Sequence, residues 1–225
     1  MCGRYTLTDP DPRLLRFRFG LSESTQIDQQ PRYNVAPTDP VLAIRVNAEG
    51  AREPGILRWG LIPHHADADS FDRLLINARA ETVVEAPAFR DAFLSHRCLI
   101  VADGFYEWRE QESGRRPVWI TRPELEPFAF AGLWAAARRA DGSSTHSCAI
   151  VTCEPGTVVA PIHDRMPVIL DREAEPDWLD PEAGLEDLRP LLVPTDELEV
   201  TEVSDAVNDV RQDGPALIEP PLRLF

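Results

Sequence analysis

Apolar residues in this chain come in short continuous runs, separated by turns rich in glycine, proline, asparagine and aspartate. Runs of this length and composition predict buried β-strands rather than long amphipathic helices. The predicted strands cover residues 5–7, 41–46, 55–63, 74–82, 98–108, 118–122, 128–135, 147–155, 166–170 and 198–204, with a turn at Asp103-Gly104 inside the fifth segment and a loop closing the fourth.

Helical signals are fewer and shorter. The segment "PRLLRFRF" at Pro12–Phe19 has a proline at its start and Gly20 as its stop, which is typical of a short helix. Apolar residues at helical spacing predict a second helix within 86–96. A further helix is expected to open near Glu154, and two short acidic helices are expected within 171–194.

The order of these elements predicts the fold class. Strands come in runs and helices are inserted irregularly, which indicates an α+β fold rather than regular βαβ winding. The stretch "PRYNVAPT" at 31–38 is predicted to be an extended loop with a fixed path. No linker of disordered composition divides the chain, so we predict one domain over residues 1–225, with a core of about 2–221.

The charge balance limits the possible partners. The chain has 23 basic residues, all of them arginine, against 38 acidic ones, for a net charge of −15. Nonspecific binding to polyanions is therefore disfavoured, and any nucleic-acid site must be a local arginine cluster. Codon usage in a GC-rich genome and adaptation to a high-salt cytoplasm both explain the absence of lysine, and the acidity favours the second account.

The first residues lack the basic and apolar regions of a signal peptide, and no run approaches the ~18 apolar residues of a membrane span. We therefore expect a cytoplasmic protein without membrane contact. Cys98, Cys148 and Cys153 lie in apolar runs without metal-ligand spacing and are interpreted as buried small side chains. The His64-His65 pair has no clear third ligand nearby in sequence, so neither metal nor cofactor is predicted.

The second residue, in "MCGRYTL", is the most unusual chemical feature. Removal of Met1 would leave Cys2 with an α-amine of pKa about 7.7–8.0 and a thiol of about 8.5 on neighbouring carbons. Such a 1,2-aminothiol traps aldehydes, because the amine forms an imine and the linked thiol closes onto it as a thiazolidine. The alternative, a chance cysteine at an irrelevant terminus, is equally compatible with these two residues alone.

Two further residues have the chemistry of proton transfer. Glu107 in "GFYEW" shares a strand face with Phe105, so its carboxyl is expected to be desolvated and its pKa raised. The alternative is a solvent-facing glutamate paired with Arg109. His163 lies in "APIHDRMPVIL" where a predicted helix meets a strand, and it titrates in the range for proton shuttling. A purely structural histidine is the alternative.

Asn77 and Arg79 in "INARAET" alternate along a predicted strand and therefore share a face. An amide that orients a nucleophile beside an arginine that holds a phosphate is one interpretation. An ordinary strand with polar residues on its solvent side is the other.

Taken together and in order, these segments resemble the SRAP family (SOS response-associated peptidase). The stretches that carry the resemblance are "MCGRY", "RYNVAPT", "RWGLIP", "INARAET", "ADGFYEW", "IVTCEP", "IHDRMPVIL" and "VNDVRQDGPALIEP". They extend from residue 1 to about residue 221, and their order and spacing fit a single-domain member.

The resemblance implies a soluble monomer with curved, mostly antiparallel and barrel-like sheets and short peripheral helices. It implies that the protein acts on abasic sites in single-stranded DNA. The cell would be prokaryotic, and the protein would associate with the nucleoid. It implies that the exposed Cys2 forms a thiazolidine with the ring-opened abasic sugar and shields it from cleavage. Asn77 would orient the amine or thiol, Glu107 would act as acid and base in ring opening and in autocatalytic Met1 removal, and His163 would assist proton transfer. The residues implied to contact DNA or to support its path are Arg4, Arg79, Arg165, Asn34, Trp59 and Trp108.

This chain also departs from the family pattern. "HHADADSFD" follows "RWGLIP" where aromatic or basic residues that stack on DNA are expected, and "WRE" follows Glu107 where lysines are common. Because salt weakens charge attraction to DNA but not a covalent bond, we predict that the protein relies on pocket chemistry more than on charge.

Three other functions remain open from the sequence. An N-terminal-nucleophile glutamine amidotransferase or hydrolase also begins Met-Cys-Gly, although its glutamine-binding and oxyanion-hole loops are not recognisable here. A peptidase acting on other proteins is suggested by the family name. A protein that binds modified DNA noncovalently is the third alternative, and it would not need the Cys2 thiol.

Overall fold

The protein folds into two β-sheets with short helices around them, in a computed structural model that describes residues 2–112 and 114–221. The strands are β1 Tyr5–Leu7, β2 Arg32–Val35, β3 Pro40–Val46, β4 Arg52–Trp59, β5 Asn77–Arg79, β6 Arg97–Ala102, β7 Gly104–Gln111, β8 Gly114–Thr121, β9 Phe128–Arg138, β10 Ser144–Cys153, β11 Met166–Pro167, β12 Ile169–Leu170 and β13 Glu199–Glu202. The helices are α1 Pro12–Phe19, α2 Arg90–Ser95, α3 Glu175–Leu179 and α4 Leu185–Leu188, with 3₁₀ turns at Pro123–Leu125, Arg189–Leu191, Asp205–Asn208 and Pro215–Leu217.

The larger sheet closes into a ring. Its strands run in the order β11-β10-β4-β3-β6-β9-β12, and β10 also pairs with β9, so that β10, β4, β3, β6 and β9 form a closed barrel. Closure removes sheet edges that would otherwise offer unpaired backbone groups. β10 pairs in parallel with β4 and with β5, whereas the other ladders of this sheet are antiparallel. The predicted α+β, mostly antiparallel, barrel-like fold in a single domain is confirmed.

The smaller sheet has the order β13-β8-β7-β1-β2, so β1, close to the start of the chain, is an interior strand. The chain crosses from the barrel to this sheet at Asp103, between β6 and β7. The Asp103 carboxylate accepts hydrogen bonds from the Thr6 hydroxyl at 2.6 Å, from the backbone N–H and the hydroxyl of Thr8, and from the backbone N–H of Asp9. These bonds anchor β1 and the two residues that follow it.

The core joins the two sheets through aromatic rings. Tyr5 of the smaller sheet packs edge-on against Trp59 and Phe130 of the barrel, with ring centroids 5.3 and 5.7 Å apart. Phe105 contacts Phe130 from β7 at 6.2 Å. All four rings are buried, and such edge-to-face pairs add stability beyond their buried area. Cys98, Cys148 and Cys153 are free and buried in the same core, as predicted.

Most predicted elements are present. The helix at Pro12–Phe19 begins and ends as expected, with Gly20 in the left-handed conformation at its C-terminus. The strand predicted over 55–63 ends at Trp59 because Gly60, with φ of 131°, turns the chain away. Residues 32–35 of the expected extended loop form β2.

One predicted helix is wrong. Residues 157–162, after Glu154, form turns rather than a helix. Backbone bonds from Ala160 to Gly156 and from His163 to Val159 close single turns only. Pro161 explains the interruption, since its ring has no N–H to donate and restrains the preceding residue from helical geometry. Among the described residues, no helix is long and apolar enough to span a membrane.

Candidate functional site

Cys2 lies just before β1, and its side chain is fully buried. The thiol Sγ lies 3.9 Å from the carbonyl oxygen of Arg4, and the Cys2 carbonyl accepts a hydrogen bond from the Asn77 side-chain amide at 2.9 Å. Burial, together with the charge of Glu107, raises the pKa of the Cys2 thiol. The thiol is therefore neutral at physiological pH and needs a base to become a nucleophile.

Asn77 is held against Cys2 by the parallel pairing of β5 with β10, in which Asn77 lies opposite Ile150. The indole N–H of Trp59 donates to the backbone carbonyl of Ile76 at 3.0 Å and fixes the residue before it. The Asn77 side-chain oxygen is buried and accepts no hydrogen bond from the described residues. Since a buried acceptor without a donor is costly, this oxygen is suited to a donor that arrives with the chemistry.

Glu107 lies on β7 with its side chain only 2% exposed. The alternation of β7 turns it to the buried side with Phe105, as the sequence indicated. Desolvation by burial raises the pKa of Glu107 to about 7, and the charge of Asp164 contributes in the same direction. A carboxyl group that titrates near neutrality can both donate and accept a proton at physiological pH.

His163 faces Glu107, with Nε2 4.0 Å from the Glu107 Oε2. Its Nδ1 accepts a hydrogen bond from the Arg165 backbone N–H at 3.0 Å. Desolvation lowers the pKa of His163, which favours the neutral ring. The Asp164 carboxylate, 2.9 Å from Nδ1, would stabilise the imidazolium when a proton is taken up.

Glu107 and His163 open onto a cleft of about 600 Å³. Trp108, at the wall of this cleft, is held by a 2.7 Å hydrogen bond from its indole N–H to the Asn208 side chain. The full lining consists of Glu107, Trp108, Glu110, Arg115, Ala160, Pro161, Ile162, His163 and Asp164.

The three arginines implied to hold phosphates differ in their surroundings. Arg79 is exposed at the end of β5. Arg4 is half-buried and donates to the Asn34 side chain at 2.7 Å and to the Val207 carbonyl at 2.8 Å. Arg165 forms a bidentate ion pair with Glu81, at 2.7 and 2.9 Å, and also donates to a backbone carbonyl of β10.

Asn34 and Trp59 are buried, at 1% and 0% exposure, so neither side chain reaches the surface. The Asn34 amide donates to the carbonyls of Val207, Asp209 and Gln212, which fastens the "VNDVRQDGP" segment beside Arg4. Both residues thus support the site from beneath, and neither can touch a DNA strand directly.

Sequence reasoning missed Glu81 and Asp103. Glu81 lies in the quoted "INARAET" motif, two residues after Arg79, and its ion pair with Arg165 was not foreseen because 84 positions separate the two residues. Asp103 was interpreted only as part of a turn, whereas it anchors the segment that follows Cys2. The available signal was an acidic residue directly after an apolar strand, at the point where the chain leaves the barrel for the smaller sheet.

Comparisons with known proteins show the family to which this sequence and fold are similar. The family profile described as SOS response associated peptidase (SRAP) matches residues 1–210. The chain is 39% identical to "Abasic site processing protein YoqW" of Bacillus subtilis over 224 residues, covering 97% of this chain and 99% of the relative. It is 28% identical to "Abasic site processing protein YedK" of Escherichia coli, covering 98% and 100%.

A crystal structure of a protein from Bacteroides thetaiotaomicron shares the fold, with a TM-score of 0.85 over 98% of this chain and 100% of that one, at 23% identity. The family profile spans both sheets and the four predicted site residues, Cys2, Asn77, Glu107 and His163. With this match and the relatives of similar length, the chain belongs to the SRAP family.

Proposed function

We propose that this protein processes abasic sites in single-stranded DNA by forming a covalent thiazolidine between Cys2 and the ring-opened sugar. One observation carries the proposal: Cys2, which becomes the first residue once Met1 is removed, contacts the amide of Asn77 and lies under the charge of Glu107, a carboxyl group of pKa about 7 that faces the imidazole of His163. The names of the relatives, abasic site processing proteins, support the same substrate.

The reaction begins with the removal of Met1, a residue outside the part of the chain that the structure describes. Hydrolysis of the Met1–Cys2 peptide bond consumes one water and converts the Cys2 nitrogen from an amide into an amine. Glu107 in its carboxylate form can activate that water, which would make the removal autocatalytic. The peptidase activity proposed here is this single self-processing event.

Crosslinking then follows in two steps, a condensation and an addition. The abasic sugar opens to its aldehyde, the Cys2 amine attacks the aldehyde carbon, and loss of one water leaves an imine. The Cys2 sulfur adds to the imine carbon, its proton passes to the nitrogen, and a five-membered thiazolidine results. No oxidant or metal is needed for the atoms and electrons to balance.

The pocket supplies the proton transfers that these steps require. Protonated Glu107 can donate to the ring oxygen of the sugar as it opens, and the resulting carboxylate can accept the proton of the buried thiol. His163, with its Nε2 toward Glu107, can pass protons between that carboxyl group and the leaving water. Asn77 orients the backbone of Cys2 and offers a free acceptor to the amine.

DNA would reach this pocket along a local arginine surface rather than through net charge, since the chain carries −15. Arg79 is exposed for a phosphate contact, and Arg4 and Arg165 lie beside the pocket. The cytoplasmic location, the monomeric state and the adaptation to high salt stay predictions.

The test is an incubation of the Met1-free protein, verified by intact mass, with a single-stranded oligonucleotide that carries one abasic site. A heat-stable adduct is expected on a denaturing gel, with a mass equal to protein plus DNA minus one water. The Cys2→Ala variant should give no adduct, whereas Cys153→Ala, the matched loss of a buried thiol, should react as the wild type does. Absence of an adduct with the wild type, or full reaction of Cys2→Ala, would overturn the proposal.

A further inference from the structure

Histidines are unevenly placed in this molecule. The chain has five, and only His163 belongs to the reactive pocket. The others gather around Trp134 of β9: His96 packs edge-on against its ring at 4.8 Å and His146 lies at 6.0 Å. His64 and His65 line a small cleft of about 80 Å³ with His96 and Trp134.

His64 and His65 meet a carboxylate in this cleft. One donor atom each from His64, His65 and Asp91 lies within 4.8 Å of the other two, and the His64 Nδ1 is 3.7 Å from the Asp91 Oδ2. Tetrahedral zinc with bonds of about 2.0 Å holds its donor atoms about 3.3 Å apart. Small rotations of these exposed side chains would bring the three donors to that spacing.

Backbone hydrogen bonds fix the elements that carry His64, His65 and Asp91. The two histidines are the middle residues of a turn closed by a 2.9 Å hydrogen bond from the Ala66 N–H to the Pro63 carbonyl. Ile62, just before the turn, is tied to the Ser147 hydroxyl of β10 at 2.8 Å. Asp91 lies in the first turn of α2, so the ligands come from two fixed elements. The histidine rings stand at 89° to each other with centroids 5.2 Å apart.

We propose that His64, His65 and Asp91 form a binding site for a divalent transition-metal ion of the zinc class. Two imidazoles and one carboxylate are a donor set that favours zinc over magnesium or calcium, which prefer oxygen ligands throughout. Three protein ligands leave the fourth position of zinc to water or to an oxyanion. The site is separate from the cysteine pocket and does not depend on its chemistry.

The experiment uses the full chain after chelator treatment and dialysis, titrated with zinc chloride in a calorimeter. One saturable site per chain is expected, and bound zinc should raise the melting temperature. Joint replacement of His64 and His65 by alanine, and separately Asp91→Asn, should weaken zinc binding at least tenfold. His146→Ala, which removes a histidine on the Trp134 ring but outside the ligand set, should bind as the wild type does.

Cysteine thiols are the main competing ligands, and two measurements separate them. The Cys2→Ala variant should keep the zinc affinity of the wild type. The cobalt complex should lack a thiolate charge-transfer band. Unchanged zinc binding in the folded double-histidine variant, loss of binding in Cys2→Ala, or no saturable binding by the wild type would each overturn the site.

Discussion

Two glutamates, Glu107 and Glu175, are buried to nearly the same extent but have different partners. Their exposed fractions are 2% and 0%. Glu175, at the start of α3, accepts from the guanidinium of Arg18 at 2.8 Å and from that of Arg52 at 3.1 Å. Glu107 faces His163 across 4.0 Å, and the lowered pKa of that imidazole keeps the ring largely uncharged.

The difference lies in how each buried charge is compensated. Two arginines neutralise Glu175, so the cluster joins α1, β4 and α3 and acts in stability. At Glu107 the cost of desolvating the carboxylate outweighs the favourable interactions of its charge, and the pKa of Glu107 rises to about 7. Because strongly shifted pKa values cluster at functional sites, we assign Glu107 a functional role and Glu175 a structural one. The predictions below separate these two uses.

The largest expected effect belongs to Glu107→Gln. The adduct-forming rate of the Met1-free variant should fall by about 10²–10⁴-fold, the range for loss of a general acid or base. Its free energy of unfolding near pH 7 should not fall, because a neutral amide is easier to bury than a carboxylate. Time courses on denaturing gels and urea denaturation measure the two quantities. A variant that reacts at the wild-type rate would remove Glu107 from the mechanism.

Glu175→Gln should show the reverse pattern. Its free energy of unfolding should fall by about 3–5 kcal/mol, because the change leaves the Arg18 charge buried without its carboxylate. The adduct-forming rate of the folded protein should stay at the wild-type value. Urea denaturation and single-turnover crosslinking test this pair of outcomes, and equal stability of variant and wild type would contradict the structural role.

The pH dependence of stability gives a third contrast. Burial raises the pKa of Glu107 from 4.5 to about 7, so between these pH values the folded state binds more protons than the unfolded state. The contribution of Glu107 to stability is therefore full below about pH 4.5 and is lost as the pH rises through about 7. Relative to Glu107→Gln, the free energy of unfolding of the wild type should drop by roughly 3 kcal/mol over that interval.

Urea denaturation at several pH values measures this difference, since titrations shared by both proteins cancel. A flat difference between wild type and Glu107→Gln would mean that the carboxyl group titrates normally. The intrinsic crosslinking rate should change over the same pH range near 7, because both protonation states take part.

The smallest expected effect is on DNA affinity and comes from a third carboxylate, the exposed Glu81. Glu81 occupies both guanidinium nitrogens of Arg165 that a phosphate would use. Glu81→Gln should raise the affinity for undamaged single-stranded DNA a few-fold at low salt and steepen its salt dependence by at most about one phosphate contact. Glu85→Gln, the same charge change at a nearby exposed position, is the control. Fluorescence anisotropy measures both variants, and weaker binding by Glu81→Gln would show that the pair positions Arg165 instead.

Much of the fold was predictable because apolar runs and local breakers determine single strands and helices. Glu107 was predicted to be desolvated from its alternation with Phe105, and α1 was bounded correctly by Pro12 and Gly20. The pairing of strands with one another was not predictable in this way. The closure of the barrel by β10 and the parallel β5–β10 ladder depend on contacts between distant segments.

The site shows the same division. The chemistry of Cys2 and Glu107 followed from residue type and neighbours, and the family resemblance supplied their association with Asn77 and His163. The contact of Asn77 with Cys2 spans 75 positions, and the third ligand beside His64, Asp91, lies on another element. Local pattern cannot reveal either, since only the folded backbone brings those residues together.

The anchoring of β1 by Asp103 has a practical meaning for anyone who makes this protein. Thr6 and Thr8 are tied down within a few residues of Cys2, in the middle of a sheet. An affinity tag or a cleavage scar ahead of Cys2 would leave its nitrogen as an amide and add bulk next to a fully buried side chain. Recombinant material is best prepared with an untagged start, and its first residue checked by mass before any activity is judged absent.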